Sequence, residues 1–293
     1  MRFVASVTMV DPHHYVPLAK AAEEAGFDGV SVSDSVCYPR ESDARYPYTP
    51  DGSREFIEHK PFLEPIVALT AMAVATERIE LIPFVLKLPI RQPVLFAKSA
   101  TSLAVLSRGR FRLGIGTSPW PEDYVVADVP WKARGRRLEE CVEVLRLLQR
   151  GGYQSFQGEF YAFPDIKLNP VPEEPIPLLF PGTSDALLDR AARLGDGWVS
   201  TGLGLDELKD CLRRLDEARA RHGRADLPFA VHATVPPESA ALEEFAAAGV
   251  THAHTGYHGP HSPLEIEPDT EPLEAKVERL HRFGEKVIAA FTP

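Results

Sequence analysis

Cysteine is scarce in this chain. Cys37, Cys141 and Cys211 are the only three among 293 residues, they lie far apart, and no Cys-x-x-Cys pair occurs. Neither a thiolate zinc site nor a disulfide framework is signalled, and reduced, mostly buried thiols in a cytoplasmic protein are expected. Long apolar runs are missing as well. The start passes straight into a strand-like segment, Phe3–Thr8, without the basic opening and apolar run of a signal peptide. No stretch is long enough to cross a bilayer, so no membrane association is expected. Basic residues are outnumbered, with 32 Lys and Arg against 42 Asp and Glu, a formal charge of −10. Non-specific nucleic-acid binding wants a basic surface and is disfavoured. An anionic cofactor would need local cations or main-chain N–H donors. Low-complexity tracts, linkers and repeats of about 20–50 residues are absent too.

What is present is a strand-helix rhythm. At 44% hydrophobic and 25% charged, the chain can bury a large core and stay soluble. Strand Phe3–Thr8 is followed by helix Val16–Ala25, whose Val16, Ala19, Ala22 and Ala25 share a face and which Gly26 stops. Strand Gly29–Ser33 precedes helix Pro65–Thr76. Strand Ile79–Leu88, interrupted by Pro83, precedes helix Pro93–Leu106. Strand Arg110–Ile115 precedes helix Arg134–Arg150, with Leu138, Val142, Leu145 and Leu148 as its apolar stripe. The remaining pairs are Ile176–Phe180 with Ser184–Leu194, Trp198–Thr201 with Leu205–His222, Phe229–Thr234 with Ser239–Ala248, and Thr251–Gly256 with Glu271–Ala290. Eight units in order imply parallel strands and right-handed crossovers, and favour one closed (β/α)8 TIM barrel domain over residues 1–293. A doubly wound sheet would carry a glycine fingerprint after its first strand, and none is there. Two loop insertions break the rhythm. Residues 35–62, after strand two, are aromatic and aperiodic. Residues 151–175, before strand five, hold a hairpin-like pair, Tyr153–Phe156 and Phe160–Phe163.

Barrel chemistry sits at the C-terminal strand ends, which selects candidates. His13 and His14 follow strand one, and Asp34 and Ser35 follow strand two. Asp34 either accepts a ligand hydrogen bond or caps a turn. Pro83 removes a ladder donor, so a bulge is expected at Phe84 and Val85. Gly114-Ile115-Gly116 either admits a flat ring or packs strands tightly. Trp120, Glu122, Asp123 and Tyr124 follow strand four and either supply a general acid or open the next helix. Gly182-Thr183-Ser184 leads into a helix, where it serves as a phosphate site or a plain cap. Thr201 and Gly202 follow strand six. His252 and His254 share one face of strand eight near His258 and His261. No carboxylate cluster accompanies them, so pocket lining or surface positions are preferred to a metal site.

Several of these stretches, in order, resemble the bacterial luciferase-like family, in its F420-dependent oxidoreductase branch. They are residues 21–30 (AAEEAGFDGV), Val32-Ser33-Asp34, 46–52 (YPYTPDG), 75–79 (ATERI), 88–93 (LPIRQP) with Ala97-Lys98, and 106–111 (LSRGRF) with 113–116 (LGIG). Further on come 134–137 (RGRR), 158–161 (GEFY) and 191–198 (AARLGDGW). The resemblance implies a (β/α)8 barrel, often dimeric, with a cofactor ring at its mouth. That ring is coenzyme F420, or FMN in the monooxygenase relatives, and a small-molecule substrate exchanges hydride with it. Asp34 would lie at the ring's polar edge. The bulge at Phe84 and Val85 would stand behind it, often with a cis peptide, and Gly116 would lie against it. Gly182, Thr183, Ser184, Thr201 and Gly202 would take the phosphate. Two departures bear on catalysis. The family commonly has Asp-His where this chain has Asp34-Ser35, and Gly-Trp where it has Ser118-Pro119. Serine cannot exchange protons near neutral pH as imidazole does. Glu122, His13, His14 or a substrate group are the possible substitutes for proton transfer, and Ser35, at the position of the family histidine, joins Glu122 and His13 as a candidate catalytic residue.

Overall fold

Among the described residues, three helices begin at a proline, whose fixed φ suits the first helical position and whose missing N–H costs nothing there. They are α2 (Pro65–Ala75), α3 (Pro93–Leu106) and α4 (Pro121–Val126). Glu64 caps α2 by accepting from the Val67 N–H, and Gln92 caps α3 by accepting from the Leu95 N–H. The computed structural model describes residues 1–46, 49, 51–200, 202–255 and 269–291. The other helices there are α1 (Tyr15–Glu24), α5 (Arg134–Leu148), α6 (Asp185–Leu194), α7 (Leu205–Arg221), α8 (Ser239–Ala247), α9 (Leu273–Phe283) and α10 (Ala289–Phe291). None of them is long and apolar enough to cross a membrane.

The strands are β1 (Arg2–Ser6), β2 (Gly29–Val32), β3 (Glu80–Pro83), β4 (Leu86–Lys87), β5 (Leu113–Gly116), β6 (Gln154–Gln157), β7 (Ala162–Ile166), β8 (Leu178–Pro181), β9 (Gly197–Ser200), β10 (Ala230–Thr234) and β11 (His252–Thr255). All pairings in the main sheet are parallel, in the order β3-β2-β1-β11-β10-β9-β8-β5-β4. A parallel bridge between Leu81 and Phe111 brings β3 beside β5 and closes the circle. Since β3 and β4 are halves of one strand broken after Pro83, the barrel has the eight staves that the rhythm predicts. Val4, Ile82, Leu179 and Val199 fill its lumen, and the larger core lies between strands and helices. Each fully buried aliphatic side chain contributes about 1.5–3 kcal/mol.

Several of the stretches that carry the family resemblance serve the scaffold. Asp28 accepts from the Phe3 N–H and Asp196 from the Leu178 N–H, so each acid ties its strand to a neighbour. The Glu23 carboxylate takes the N–H groups of Glu77, Arg78 and Ile79. Arg110 donates to the carbonyls of Ala73, Thr76, Ile79 and Ser107, filling acceptors left at the end of α2. Glu140 on α5 takes the N–H groups of Glu159, Phe160 and Tyr161 at the hairpin tip. A Cβ at Gly158 would lie 2.3 Å from Glu140 Oε1, so this turn requires glycine.

Most boundaries move by one or two residues from the sequence reading, and four departures are larger or bear on the scaffold. Strand β5 starts at Leu113 rather than Arg110, since residues 110–112 meet β3 only through the isolated Leu81–Phe111 bridge. The six residues of α4 are too few to show a period. Strands β6 and β7 run Gln154–Gln157 and Ala162–Ile166, with the turn advanced by the Glu140 anchor. The last helix switches to a π turn over Gly284–Ile288, where Gly284 lies against Ala25: a Cβ there would meet the Ala25 carbonyl oxygen at 2.2 Å. Of the cysteines, Cys141 and Cys211 are buried and Cys37 is exposed, and all three are free thiols.

Candidate active site at the barrel mouth

Strand order decides which candidates are neighbours. Asp34 and Ser35 follow β2, Phe84 and Val85 separate β3 from β4, Gly116 ends β5, Gly182–Ser184 follow β8, and Gly202 follows β9. These strands are consecutive around the barrel, so the residues form one arc of the C-terminal rim. Thr201, His258 and His261 lie outside the described residues. His13 stands on the adjoining loop, exposed in a 3-10 turn, its N–H bonded to Asp11.

The strand break makes a wall. The Phe84–Val85 peptide is cis. A Cβ on Gly114 would stand 2.3 Å from the Pro83 carbonyl oxygen, and one on Gly116 would stand 2.9 Å from Val85 Cγ2. Both glycines therefore let β5 approach the break, which is the tight-packing reading of this pair. Behind the wall, the Phe84 ring stacks on His254 at 3.9 Å between centroids. Burial first, and then the charge of His252, push the His254 imidazole down to about 3, so it is neutral at pH 7. His254 Nε2 is 2.9 Å from His232 Nδ1, and His254 Nδ1 is 3.2 Å from Ser31 Oγ. His252 stacks on His232 at 4.1 Å. The histidines thus line the lumen rather than the surface. Among the described residues, no group of three or more His, Cys, Asp or Glu is placed to hold a metal. His232 was not singled out from sequence, because only the register of β10 on β11 brings it to His254.

Ion pairs ring the mouth. Arg91 grips both Asp34 oxygens, at 2.8 and 3.1 Å, and the Lys87 N–H adds a third bond at 2.8 Å. Lys87 Nζ lies 2.6 Å from Asp123 Oδ2, which also accepts from Ser118 Oγ at 2.6 Å. Arg54 sits 3.5 Å from Glu122 and 4.6 Å above the Trp120 ring. Burial alone would raise the Glu122 carboxyl. Hydrogen bonds from Ser42 and its own backbone, with the Arg54 charge, outweigh that and hold it below the usual carboxylate value. Glu122 is therefore an anion near neutral pH, which corrects the expectation of a general acid: the side chain is held in its proton-accepting form. Tyr46 stacks on Trp120 and packs on Phe56, which draws the segment after β2 across the rim. Ser35 is half-buried beside Asp34.

At the other end of the arc, Gly182 has φ +118°, and its carbonyl accepts from Trp198 Nε1. Thr183 and Ser184 are exposed, and Ser184 begins α6 without a side-chain cap. The Leu187 N–H bonds back to the Ser184 carbonyl at 2.9 Å, and no side chain of Ser184 caps the helix start, where a phosphate could meet the leading N–H groups. Gly202, at φ +69°, has open space where a Cβ would be.

The sequence matches the model of the luciferase-like monooxygenase family over residues 2–288. This chain belongs to that family. An uncharacterized protein of Mycobacterium tuberculosis is 46% identical over 295 residues, covering 99% of each chain. An F420-dependent glucose-6-phosphate dehydrogenase of Gordonia bronchialis is 31% identical over 210 residues, covering 70% of this chain and 57% of that protein. Among solved structures, the monooxygenase RslO1 of Streptomyces bottropensis superposes with TM-score 0.76 at 17% identity, over 100% of both chains. The coenzyme F420 dependent tetrahydromethanopterin reductase of Methanopyrus kandleri gives 0.75 at 16%, over 99% of both. At such identities the superpositions establish the luciferase-like barrel, and the activities named belong to those proteins.

Proposed function

We propose that this protein is an F420-dependent oxidoreductase that moves hydride between the deazaflavin and a small organic substrate at the barrel mouth. The arc of the rim carries the reading. Asp34, the Phe84–Val85 wall, Gly116, Gly182–Ser184 and Gly202 follow one another on neighbouring strand ends. That order suits a flat ring with a polar edge at one end and a phosphate-bearing tail at the other. The donor set fits as well. The α6 start is exposed and uncapped by any side chain, and the wall is apolar with a neutral imidazole behind it.

When bound, the deazaflavin supplies the two-electron carrier. The chain's residues bind, orient and exclude water. Asp34, fixed by Arg91 and the Lys87 N–H, orients the polar edge, while Phe84, Val85 and Gly116 support one face. Gly182, Thr183, Ser184, Thr201 and Gly202 hold the phosphate. Tyr46, Trp120 and Arg54 shield the mouth. Glu122, held as a carboxylate, accepts a substrate proton in the oxidising direction. Ser35 positions the substrate through its hydroxyl, and His13 exchanges protons with solvent. The protein is proposed to act as a cytoplasmic homodimer.

A second reading is an FMN-dependent monooxygenase, favoured by the superposition on a monooxygenase. A third, favoured by Ser35 in place of the family's histidine, is a flavin-binding protein without turnover. Anaerobic titration with F420 and with FMN, followed by oxygen-uptake assays, separates them. Tight F420 binding with reduction by a substrate supports the first reading. FMN-coupled oxygen uptake without F420 binding rejects it. Binding without turnover across a broad substrate panel selects the third.

A further inference from the structure

We propose that Lys87 is the cation facing the polar edge of the bound ring, where it steadies the negative charge that hydride brings. The inference rests on the cofactor reading above and assigns a residue that the sequence motifs did not single out.

Register gives the direction of the side chain. On β4, Leu86 pairs with Ile115, and both belong to the outer core between strands and helices. Lys87 pairs with Gly116 and so projects to the opposite, lumen side, at the rim. Its own N–H donates to Asp34 Oδ2 at 2.8 Å, which fixes it beside the residue assigned to the ring's polar edge.

The ammonium group is buried yet incompletely used. The Lys87 side chain is 7% exposed. Nζ is 2.6 Å from Asp123 Oδ2 but makes no directed hydrogen bond among the described residues. An ammonium has three N–H donors, and buried donors seek acceptors. The other rim cations are committed: Arg91 spends both terminal nitrogens on Asp34, and Arg54 faces Glu122 and covers Trp120. Asp123 keeps Lys87 in place and is itself fixed by Ser118 Oγ, which also accepts from the Trp120 N–H at 3.0 Å. Ser118 adopts φ +60°, a conformation unfavourable for a residue with a Cβ, and the bond to Asp123 holds it there. One of the two departures from the family pattern, Ser118 itself, thus builds the support for Lys87.

The charge balance can be written for an alcohol substrate. Its C–H bond breaks, and hydride carries the electron pair to the ring, which is reduced. The O–H bond breaks, its electron pair forms the carbonyl π bond, and its proton passes to a base such as Glu122. The substrate is oxidised by two electrons, and the ring gains one negative charge, which the Lys87 ammonium offsets.

The test compares the wild-type chain with Lys87→Met, Lys87→Arg and the double variant Lys87→Met/Asp123→Leu. Each is titrated anaerobically with oxidised and reduced F420, and with oxidised and reduced FMN. Lys87→Met alone leaves Asp123 buried without a counter-charge, so it can fail to fold. The double variant removes both charges and keeps the measurement available. The ratio of oxidised to reduced Kd should fall at least tenfold in the double variant, equal to about 30 mV for a two-electron couple. Lys87→Arg should stay within threefold of wild type. A ratio unchanged within twofold in the double variant, with the oxidised cofactor still bound, overturns the role of Lys87. Wild-type protein that binds neither cofactor overturns the cofactor reading and this inference together. That result appears before any substitution is made, so the two failures are distinct.

Discussion

Arg91 holds Asp34 in a two-pronged grip, Nη1 to Oδ2 at 2.8 Å and Nη2 to Oδ1 at 3.1 Å, and the Asp34 side chain is almost fully buried. A carboxylate so held cannot swing, which suits a group that orients a ring. Breaking a buried pair by removing one partner strands the other, at about 3–5 kcal/mol. Arg91 keeps some solvent contact and reaches Glu64, so the lower end applies here. Asp34→Asn should cost about 3 kcal/mol in urea unfolding and weaken cofactor binding at least tenfold. Wild-type affinity in a destabilised Asp34→Asn protein would remove Asp34 from the site.

Gly114 offers a test of the wall. A methyl group there would stand 2.3 Å from the Pro83 carbonyl oxygen, a backbone atom that cannot rotate away. Gly114→Ala should therefore displace the Phe84–Val85 segment. The expected cost is about 1–3 kcal/mol by thermal unfolding, with weaker cofactor binding alongside. Gly109→Ala, where a Cβ would meet nothing within 4 Å but φ is +78°, carries backbone strain away from the wall; it should lower the unfolding temperature and leave cofactor affinity unchanged.

Ser184 separates cap from anion site by giving opposite signs. A carboxylate at a helix start favours the fold by about 0.3–1 kcal/mol. It also repels a phosphate. Ser184→Glu should hold or raise the unfolding temperature while raising the cofactor Kd at least tenfold. Unchanged affinity would leave this helix start as a plain cap.

The histidines of the lumen set an acid limit. Burial, and then the neighbouring imidazole charges, depress His254 to about 3 and His232 well below its ordinary value. In the unfolded chain both titrate near 6.5, so between about pH 6.5 and 3 the unfolded state binds more protons. Stability is thus fully present above about pH 6.5 and is lost as pH falls below it. Each histidine contributes a slope of about 1.4 kcal/mol per pH unit. His254→Gln should reduce the loss between pH 6.5 and 5 by about 2 kcal/mol in denaturant titrations. An unchanged slope would mean that His254 is already protonated in the folded protein.

The scaffold was largely legible in the sequence, because its signals are local. Pro93 and Ser107 bracket α3 within the predicted bounds, and Pro83 marks the break between β3 and β4. Asp34, Phe84 and Gly182 were selected as candidates because the barrel places chemistry at strand ends, and strand order brings them to one arc of the rim. What was missed depends on contacts between distant segments. Lys87 meets Asp123 across 36 positions (123 − 87), and no pattern in either segment announces the pair. His232 reaches His254 only through strand register. The carboxylate state of Glu122 depends on Arg54 and Ser42 in the long segment after β2, which has no period to read.

All of this rests on a planar redox cofactor lying on the rim with its phosphate at the start of α6. Fluorescence titration of the purified chain with F420, with FMN in parallel, tests it most directly. Saturable F420 binding at micromolar concentration is expected, weakened at least tenfold in Ser184→Glu. No association of either cofactor at that concentration would contradict it.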